Sequence, residues 1–172
     1  MPDEPANERD LLQAGYRYAL SLTHQPPDAE DLVQEAWLNL SRRYGRVETR
    51  AVLFTAVRNL FIDQCRRRKI VHFESLDQPT PPPLPPLAAE EPGLVGDVAA
   101  LLGKLRPAER EVVFLHYYEG HTAEEIAQLT GQPRGTVLSL LHRAVARMRE
   151  TWTRGAGSGI GNQILLLFVN FF

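Results

Sequence analysis

Apolar side chains recur at helical spacing in both halves of the chain, and no segment shows the strict alternation of a half-buried strand. In the N-terminal half this spacing predicts three helices, at about 9–24, 28–40 and 50–69. The prolines Pro26–Pro27 end the first of these patterns because the residue before a proline avoids helical backbone. Asp28 can then cap the second helix. The pattern predicts an all-α fold.

The C-terminal half has the spacing of a helix-turn-helix. Thr122 and Glu125 form a capping box that begins a short helix. The small Ala127 lets two helices approach, and Gly131, four residues later, supplies a turn with positive φ. Val137, ten residues after Ala127, packs the second helix on the first. This combination favours DNA binding through the second helix over a generic helical hairpin.

A proline-rich segment separates the two halves, since seven of the 13 prolines fall between Pro79 and Pro92. Such a run forms neither a helix nor a central strand, so it predicts a linker between two small helical domains. A ligand for a proline-binding partner domain is the alternative. The predicted boundaries are 8–73 for the first domain, 74–98 for the linker, 99–153 for the helix-turn-helix domain and 154–172 for a glycine-rich segment and apolar tail.

The tail ends in nine residues, 164–172, of which eight are apolar and none is charged. This run is too short to span a bilayer, which needs about 20 residues. We expect it to pack on the protein's own helices. Docking in a partner's groove and an altered end of the gene are the alternatives.

Charge is distributed unevenly along the chain although the net charge is only −2. Residues 28–73 carry nine bases against six acids, with most of the excess in Arg66–Lys69, and residues 134–154 carry five arginines against one glutamate. Two basic patches suit a polyanion that is contacted at two places. Two solvated helix ends would explain them equally well.

Composition argues against several classes of function. The single cysteine, Cys65, permits neither an intrachain disulfide nor a thiolate cluster, which fits a reducing compartment. The acidic N-terminus disfavours a signal peptide, so we expect a cytoplasmic protein without direct membrane insertion. The five histidines are scattered. We expect no enzyme, no metal site, no cofactor and no small-molecule substrate.

Both halves resemble the extracytoplasmic-function (ECF) class of bacterial sigma factors, of the sigma-70 superfamily, over about residues 8–150. Asp28–Trp37 is similar to the part of sigma region 2 that binds the clamp helices of core RNA polymerase. Phe54–Asp63, with Arg66–Arg68 after it, resembles the part that opens and reads the −10 promoter element. The resemblance implies a factor that directs core polymerase to promoter DNA and helps to open it.

The C-terminal half is similar to sigma region 4, which reads the −35 element. The segments that carry this similarity are Leu105–Glu111 and Gly135–Val137. The order of the motifs and the linker between them make the family resemblance specific. Sigma factors of this class are usually held inactive by an anti-sigma factor, so the resemblance also implies such a partner, often bound to the membrane.

The resemblance implies three sets of binding residues. One set includes a polar stripe at four-residue steps on the third helix, formed by Thr55, Asn59, Asp63 and Arg67. Those expected to bind core polymerase are Asp31, Gln34, Glu35 and Asn39. Those expected to hold and open the −10 strand are Thr55, Arg58, Asn59, Asp63, Arg66, Arg67, Arg68 and Lys69. Those expected on the −35 duplex are Arg134, Gly135, Thr136, Ser139, His142, Arg143 and Arg147. Asn59 is the residue expected at a flipped base, with the loop about Tyr44–Arg50 closing over it.

Three positions depart from the family pattern. Val52 stands where the family usually has a tryptophan, which leaves less aromatic surface near the opened strands. Leu138 and Leu140 stand where related recognition helices commonly carry arginine or lysine. Two expected DNA contacts are therefore missing, and these leucines could meet a protein instead.

Two other functions compete with the sigma-factor hypothesis. A free-standing helix-turn-helix regulator would bind duplex DNA without polymerase, but it gives the Asp28–Trp37 segment and the basic run Arg66–Lys69 no specific use. A helical adaptor that uses the linker and the tail leaves both basic patches unexplained.

Overall fold

The computed structural model describes residues 7–74 and 101–155, with side chains for 7–68 and 101–151. Every regular element in these ranges is helical, which confirms the all-α prediction. The chain divides into two compact units, Met1–Leu84 and Pro85–Phe172. The predicted linker and the apolar tail lie outside the described residues, apart from Glu74 at the end of one helix and 154–155 at the end of another.

The N-terminal unit is a three-helix assembly of α1 (Glu8–Thr23), α2 (Pro26–Tyr44) and α3 (Arg50–Glu74). Each helix packs against the other two. The rings of Tyr18 and Phe54 stack in its core with centroids 4.4 Å apart. At Gly15 a Cβ would lie within 2.6 Å of the Leu53 side chain, so a residue without a side chain is needed for α1 to approach α3 this closely.

The second helix begins at Pro26, so the prediction that Asp28 caps it is wrong. His24 ends α1 in the left-handed conformation, with φ of 55°, and donates its backbone N–H to Leu20 O. Proline suits the first position of a helix because its missing N–H would have no partner there and its φ is already helical. Asp28 therefore lies inside the first turn of α2.

The C-terminal unit contains α4 (Pro107–Val113), a π-helical turn (Phe114–Tyr118), α5 (Ala123–Thr130) and α6 (Arg134–Gly155). Helices α4 and α5 both pack on α6. The sequence pattern did not predict the π-helical turn, in which the rings of Phe114 and Tyr118 stack with centroids 5.0 Å apart. The buried apolar side chains of this unit include Val112, Leu115, Ile126, Val137 and Leu141.

A buried carboxylate joins the start of α4 to α6. Glu109 is 1% exposed, and its Oε2 accepts the backbone N–H of Arg106 at 3.0 Å. Its Oε1 lies 3.5 Å from Nη2 of Arg147 on α6. The neighbouring Arg110 guanidinium donates to Leu105 O at 2.7 Å, and its burial, partly offset by Glu109, lowers the pKa of Arg110 to about 10. Glu109 therefore links the start of α4 to α6, while the Arg147 side chain remains 38% exposed.

Candidate nucleic-acid interface

A cleft of about 910 Å³ lies between the end of α2 and the start of α3. Helix α2 ends at Gly45, whose φ of 81° favours glycine, and the chain then crosses to α3 over residues 45–49. Val47 in this crossing is buried, which anchors the loop to the unit. Tyr44, Arg46 and Glu48 line the cleft, so the loop predicted to close over Asn59 forms part of its wall.

The first two residues of the predicted polar stripe, Thr55 and Asn59, line this cleft, and both are exposed. Thr55 Oγ1 donates to Ala51 O at 2.8 Å, which leaves its lone pairs free to accept. Val52, at the position where the family usually has tryptophan, is exposed in the same cleft. Asp63 is absent from the lining and lies 3.7 Å from Arg66 instead.

Sequence reasoning missed Arg43 in this cleft and named Tyr44 only as the start of the closing loop. The Arg43 guanidinium lies 5.3 Å from the centroid of the Tyr44 ring, and that ring is 60% exposed. An exposed aromatic ring beside a cation is a surface on which a base can stack. Arg43 follows Asn39 by four residues, so the sequence already places both side chains on one face of α2. The packing of α2 on α3 then brings this face to the cleft that Asn59 also lines.

The predicted basic run after the stripe is exposed at Arg66, Arg67 and Arg68. Two of these cations have acidic neighbours: Arg66 pairs with Asp63 on α3, and Arg68 Nη2 lies 3.7 Å from Asp28 Oδ2 on α2. Such solvent-exposed pairs are weak and give way to a stronger anion. The half-buried Arg58 has a partner, and the side chain of Lys69 lies outside the described residues.

The residues predicted to bind polymerase divide between two surfaces. Asp31, Gln34 and Glu35 form an exposed stripe on α2. Asn39 is also exposed, but it lines the cleft that Asn59 lines. Leu38, which the sequence analysis did not single out, lies one turn beyond Gln34 and is 51% exposed, so an apolar side chain adjoins the end of the stripe.

The helix-turn-helix forms as predicted. Thr122 Oγ1 accepts the Glu125 backbone N–H at 3.3 Å, and Glu125 Oε2 accepts the Thr122 backbone N–H at 2.7 Å. The Thr122 hydroxyl also donates to Glu125 Oε2 at 2.9 Å, and the two hydrogen bonds that Thr122 donates to this oxygen lower the pKa of the Glu125 carboxyl. Gly131 has φ of 67°, and both Ala127 and Val137 are buried between the helices.

Six of the seven residues predicted to bind the −35 duplex are exposed on α6, Gly135 among them through its backbone. These six are Arg134, Gly135, Thr136, Ser139, His142 and Arg143. Arg134 Nε lies 4.0 Å from Glu124 Oε2 on α5, and Arg143 Nε donates to Ser139 O at 3.2 Å. The seventh, Arg147, pairs with buried Glu109, which gives it a structural contact.

The two unusual leucines of α6 differ in environment. Leu140 is 8% exposed, so the expectation that it could meet a protein partner is wrong. It lies three residues after Val137 and four before Ala144, on the buried face of the helix. Leu138 is 36% exposed and belongs to the outward part of α6.

These features define a two-part helical protein with a polar cleft in one unit and a helix-turn-helix in the other. Within residues 7–74 and 101–155 no helix has the length and apolar character needed to cross a membrane, and no three histidine, cysteine or acidic side chains gather as metal ligands would. The family model for sigma-70 region 2 matches residues 8–70, and that for sigma-70 region 4 matches residues 96–148.

Curated relatives include the ECF RNA polymerase sigma factor SigE of Mycolicibacterium smegmatis, 34% identical over 158 residues that cover 87% of this chain and 62% of that protein. The RNA polymerase sigma-E factor of Streptomyces coelicolor is 36% identical over 149 residues, covering 83% of this chain and 81% of the relative. The sigma factor RpoE of Bartonella quintana, solved in complex with the anti-sigma factor NepR, matches with a TM-score of 0.63 and 29% identity, over 81% of this chain and 90% of that one.

The chain belongs to the ECF family of RNA polymerase sigma factors. The matches to both region 2 and region 4 confirm the family resemblance of both halves, and the free-standing regulator is not favoured. The family is one of transcription-initiation factors.

Proposed function

We propose that this chain directs core RNA polymerase to specific promoters and helps to separate the strands of the −10 element. The observation that carries the proposal is the cleft between α2 and α3, because it joins Asn59, Thr55 and Tyr44 in one place within a unit that also has an acidic face on α2. A free-standing regulator of duplex DNA has no use for either feature.

The cleft has the chemistry to hold a base that has left the duplex. The Asn59 amide carries both donors and an acceptor, which suits the Watson–Crick edge of an unpaired base. The Tyr44 ring offers a stacking surface, and Arg43 and Arg46 offer cations for the adjacent phosphates. The exposed run Arg66–Arg68 continues this positive surface along α3 and would track the separated strand.

The exposed stripe on α2 is the proposed surface for core polymerase. Asp31 and Glu35 supply negative charge and Gln34 supplies hydrogen bonds, while Leu38 adds the apolar area that interface centres usually have. Asn39 is assigned here to the cleft, since it lines that surface.

Helix α6 is the proposed reader of the −35 duplex, with its first half in the major groove. Arg134, Ser139 and Arg143 remain in this proposal, whereas Arg147 is assigned to the fold because Glu109 holds it. The boundaries 8–73 and 99–153 are proposed for the two functional domains.

An anti-sigma factor is proposed as the inhibitory partner, on the ground that the Bartonella relative is found with one. It would cover the α2 stripe and so block polymerase. The chain would then be cytoplasmic, lie on promoter DNA when active, and be held at the membrane where the anti-sigma factor is itself membrane-bound.

The test is co-elution of the purified chain with core RNA polymerase. We expect Glu35→Arg to abolish co-elution, because it reverses a charge in the centre of the stripe. Glu8→Arg, an equal reversal on α1, is the matched control and should leave co-elution unchanged. Binding of duplex DNA without any association with core polymerase would instead identify a free-standing regulator.

A further inference from the structure

Leu138 is an exposed apolar side chain in the part of α6 that faces outward. It lies one turn after Arg134 and one turn before His142, and both of these neighbours are exposed. The core beneath is filled by Val137 and Leu141, which are fully buried, and by Leu140. Leu138 therefore lies outside this core, and its exposed part is available to whatever α6 binds.

The surroundings of Leu138 suit DNA better than a protein surface. Residues 134–143 contain two arginines and no acid, although Arg134 lies 4.0 Å from Glu124 on α5, and the exposed side chains near Leu138 include Thr136 and Ser139. An apolar partner would have to bury these cations and hydroxyl groups without matching groups. The phosphates of duplex DNA match the cations, and the base edges of the major groove match the hydroxyl groups.

We propose that Leu138 contacts the C5-methyl group of a thymine in the −35 duplex and so makes the protein prefer thymine at one position. The inference rests on the proposed binding of α6 in the major groove. The thymine methyl is the apolar group that base pairs present in that groove, and a leucine side chain is the apolar group that α6 presents to it. A position that commonly carries a cation in related recognition helices would here read a methyl group.

The test replaces thymine by uracil, which keeps the base pairing and removes only the methyl group. The assembled complex with core polymerase first selects preferred sites from a duplex pool that is randomised over the −35 region. Each thymine of a selected site is then changed singly to uracil, and the affinity of the complex is measured. Burial of one methyl group predicts that one substitution weakens binding about threefold to fourfold.

Variants of the protein assign that effect to Leu138. In Leu138→Ala the same thymine-to-uracil change should have no effect on affinity. Thr136→Ser, which removes the other exposed methyl group nearby and keeps the hydroxyl, should retain the uracil effect. Tyr118→Ala, at an exposed aromatic side chain that neither proposed interface uses, is the control and should also retain it.

Two results would overturn the inference about Leu138 and leave the proposed function unaffected. One is a wild-type complex whose affinity is indifferent to every uracil substitution. The other is a Leu138→Ala complex that is as sensitive to uracil as the wild type. If the chain binds core polymerase but selects no duplex site at all, the proposed role of α6 fails and the inference fails with it.

Discussion

At the scale of the residue, Asn59 carries the most specific chemistry. It is exposed and lies in the cleft with Thr55 and Tyr44. Replacing an exposed residue of this kind leaves the core intact, so a change in function can be assigned to the lost amide.

We expect Asn59→Ala to weaken binding of a single-stranded −10 oligonucleotide to the assembled complex about tenfold, since one or two hydrogen bonds to the base are lost. Fluorescence anisotropy of a labelled strand measures this, and co-elution with core polymerase should be unaffected. Gln13→Ala, at an exposed amide on α1, is the control. Equal affinities for the Asn59→Ala and wild-type complexes would remove Asn59 from the proposed site.

Single residues also show where a sequence pattern misleads. The family resemblance placed Leu140 at a position where related helices commonly carry a cation. Its spacing from Val137 and Ala144 already indicated the buried face of α6. Aspartate is a favourable N-cap residue, but Pro26 is favourable at the first helical position, and α2 begins at Pro26. Both errors came from weighing one local signal without its neighbours.

At the scale of the element, the capping box of α5 and the turn at Gly131 were predictable, because they depend on residues close in sequence. The pair of Glu109 and Arg147 was not, since its partners are 38 positions apart and meet only when α4 packs on α6. The cleft could not be predicted in full for the same reason. Its wall combines the end of α2, the loop and the start of α3.

The Glu109 contacts predict a stability effect confined to the C-terminal unit. Glu109→Ala removes an acceptor for the Arg106 N–H and leaves Arg147 without its buried partner, which should cost about 2 kcal/mol. Hydrogen exchange of the full chain, followed by mass spectrometry, should show faster exchange in α4 and α6.

Two comparisons test this assignment. Glu109→Gln keeps an acceptor for the Arg106 N–H and should have a smaller effect on exchange. Glu124→Ala removes an exposed acid beside Arg134 and should change little. Faster exchange in α1 and α2 as well would show that the effect is not local to α4 and α6.

At the scale of the whole molecule, the pair of Asp28 and Arg68 connects the helix proposed to bind polymerase with the helix proposed to bind the −10 strand. While the pair is formed, part of the positive charge of Arg66–Arg68 is neutralised. A basic surface that docks on α2 would compete for Asp28. Arg68 would then be free to bind phosphate, so polymerase binding and strand binding would favour each other.

We expect Asp28→Asn to raise the affinity of the free chain for single-stranded DNA about twofold at low salt, and the gain to fade as salt screens the charges. A salt series of binding measurements tests this. Asp10→Asn, at an exposed acid on α1, changes the net charge equally and should have a smaller effect. Equal gains in the two variants would mean that only net charge matters.

The π-helical turn at Phe114–Tyr118 bears on how proteins of this kind can change in length during evolution. A π-helical turn holds one residue more than the α-helical turn it replaces, so losing a residue there can restore regular helix geometry. Losing a residue within α6 would instead rotate every following side chain by about 100° and turn Leu138 and His142 away from their present face. Insertions and deletions among relatives should therefore collect in this turn and be rare in α6, the helix proposed to bind the promoter.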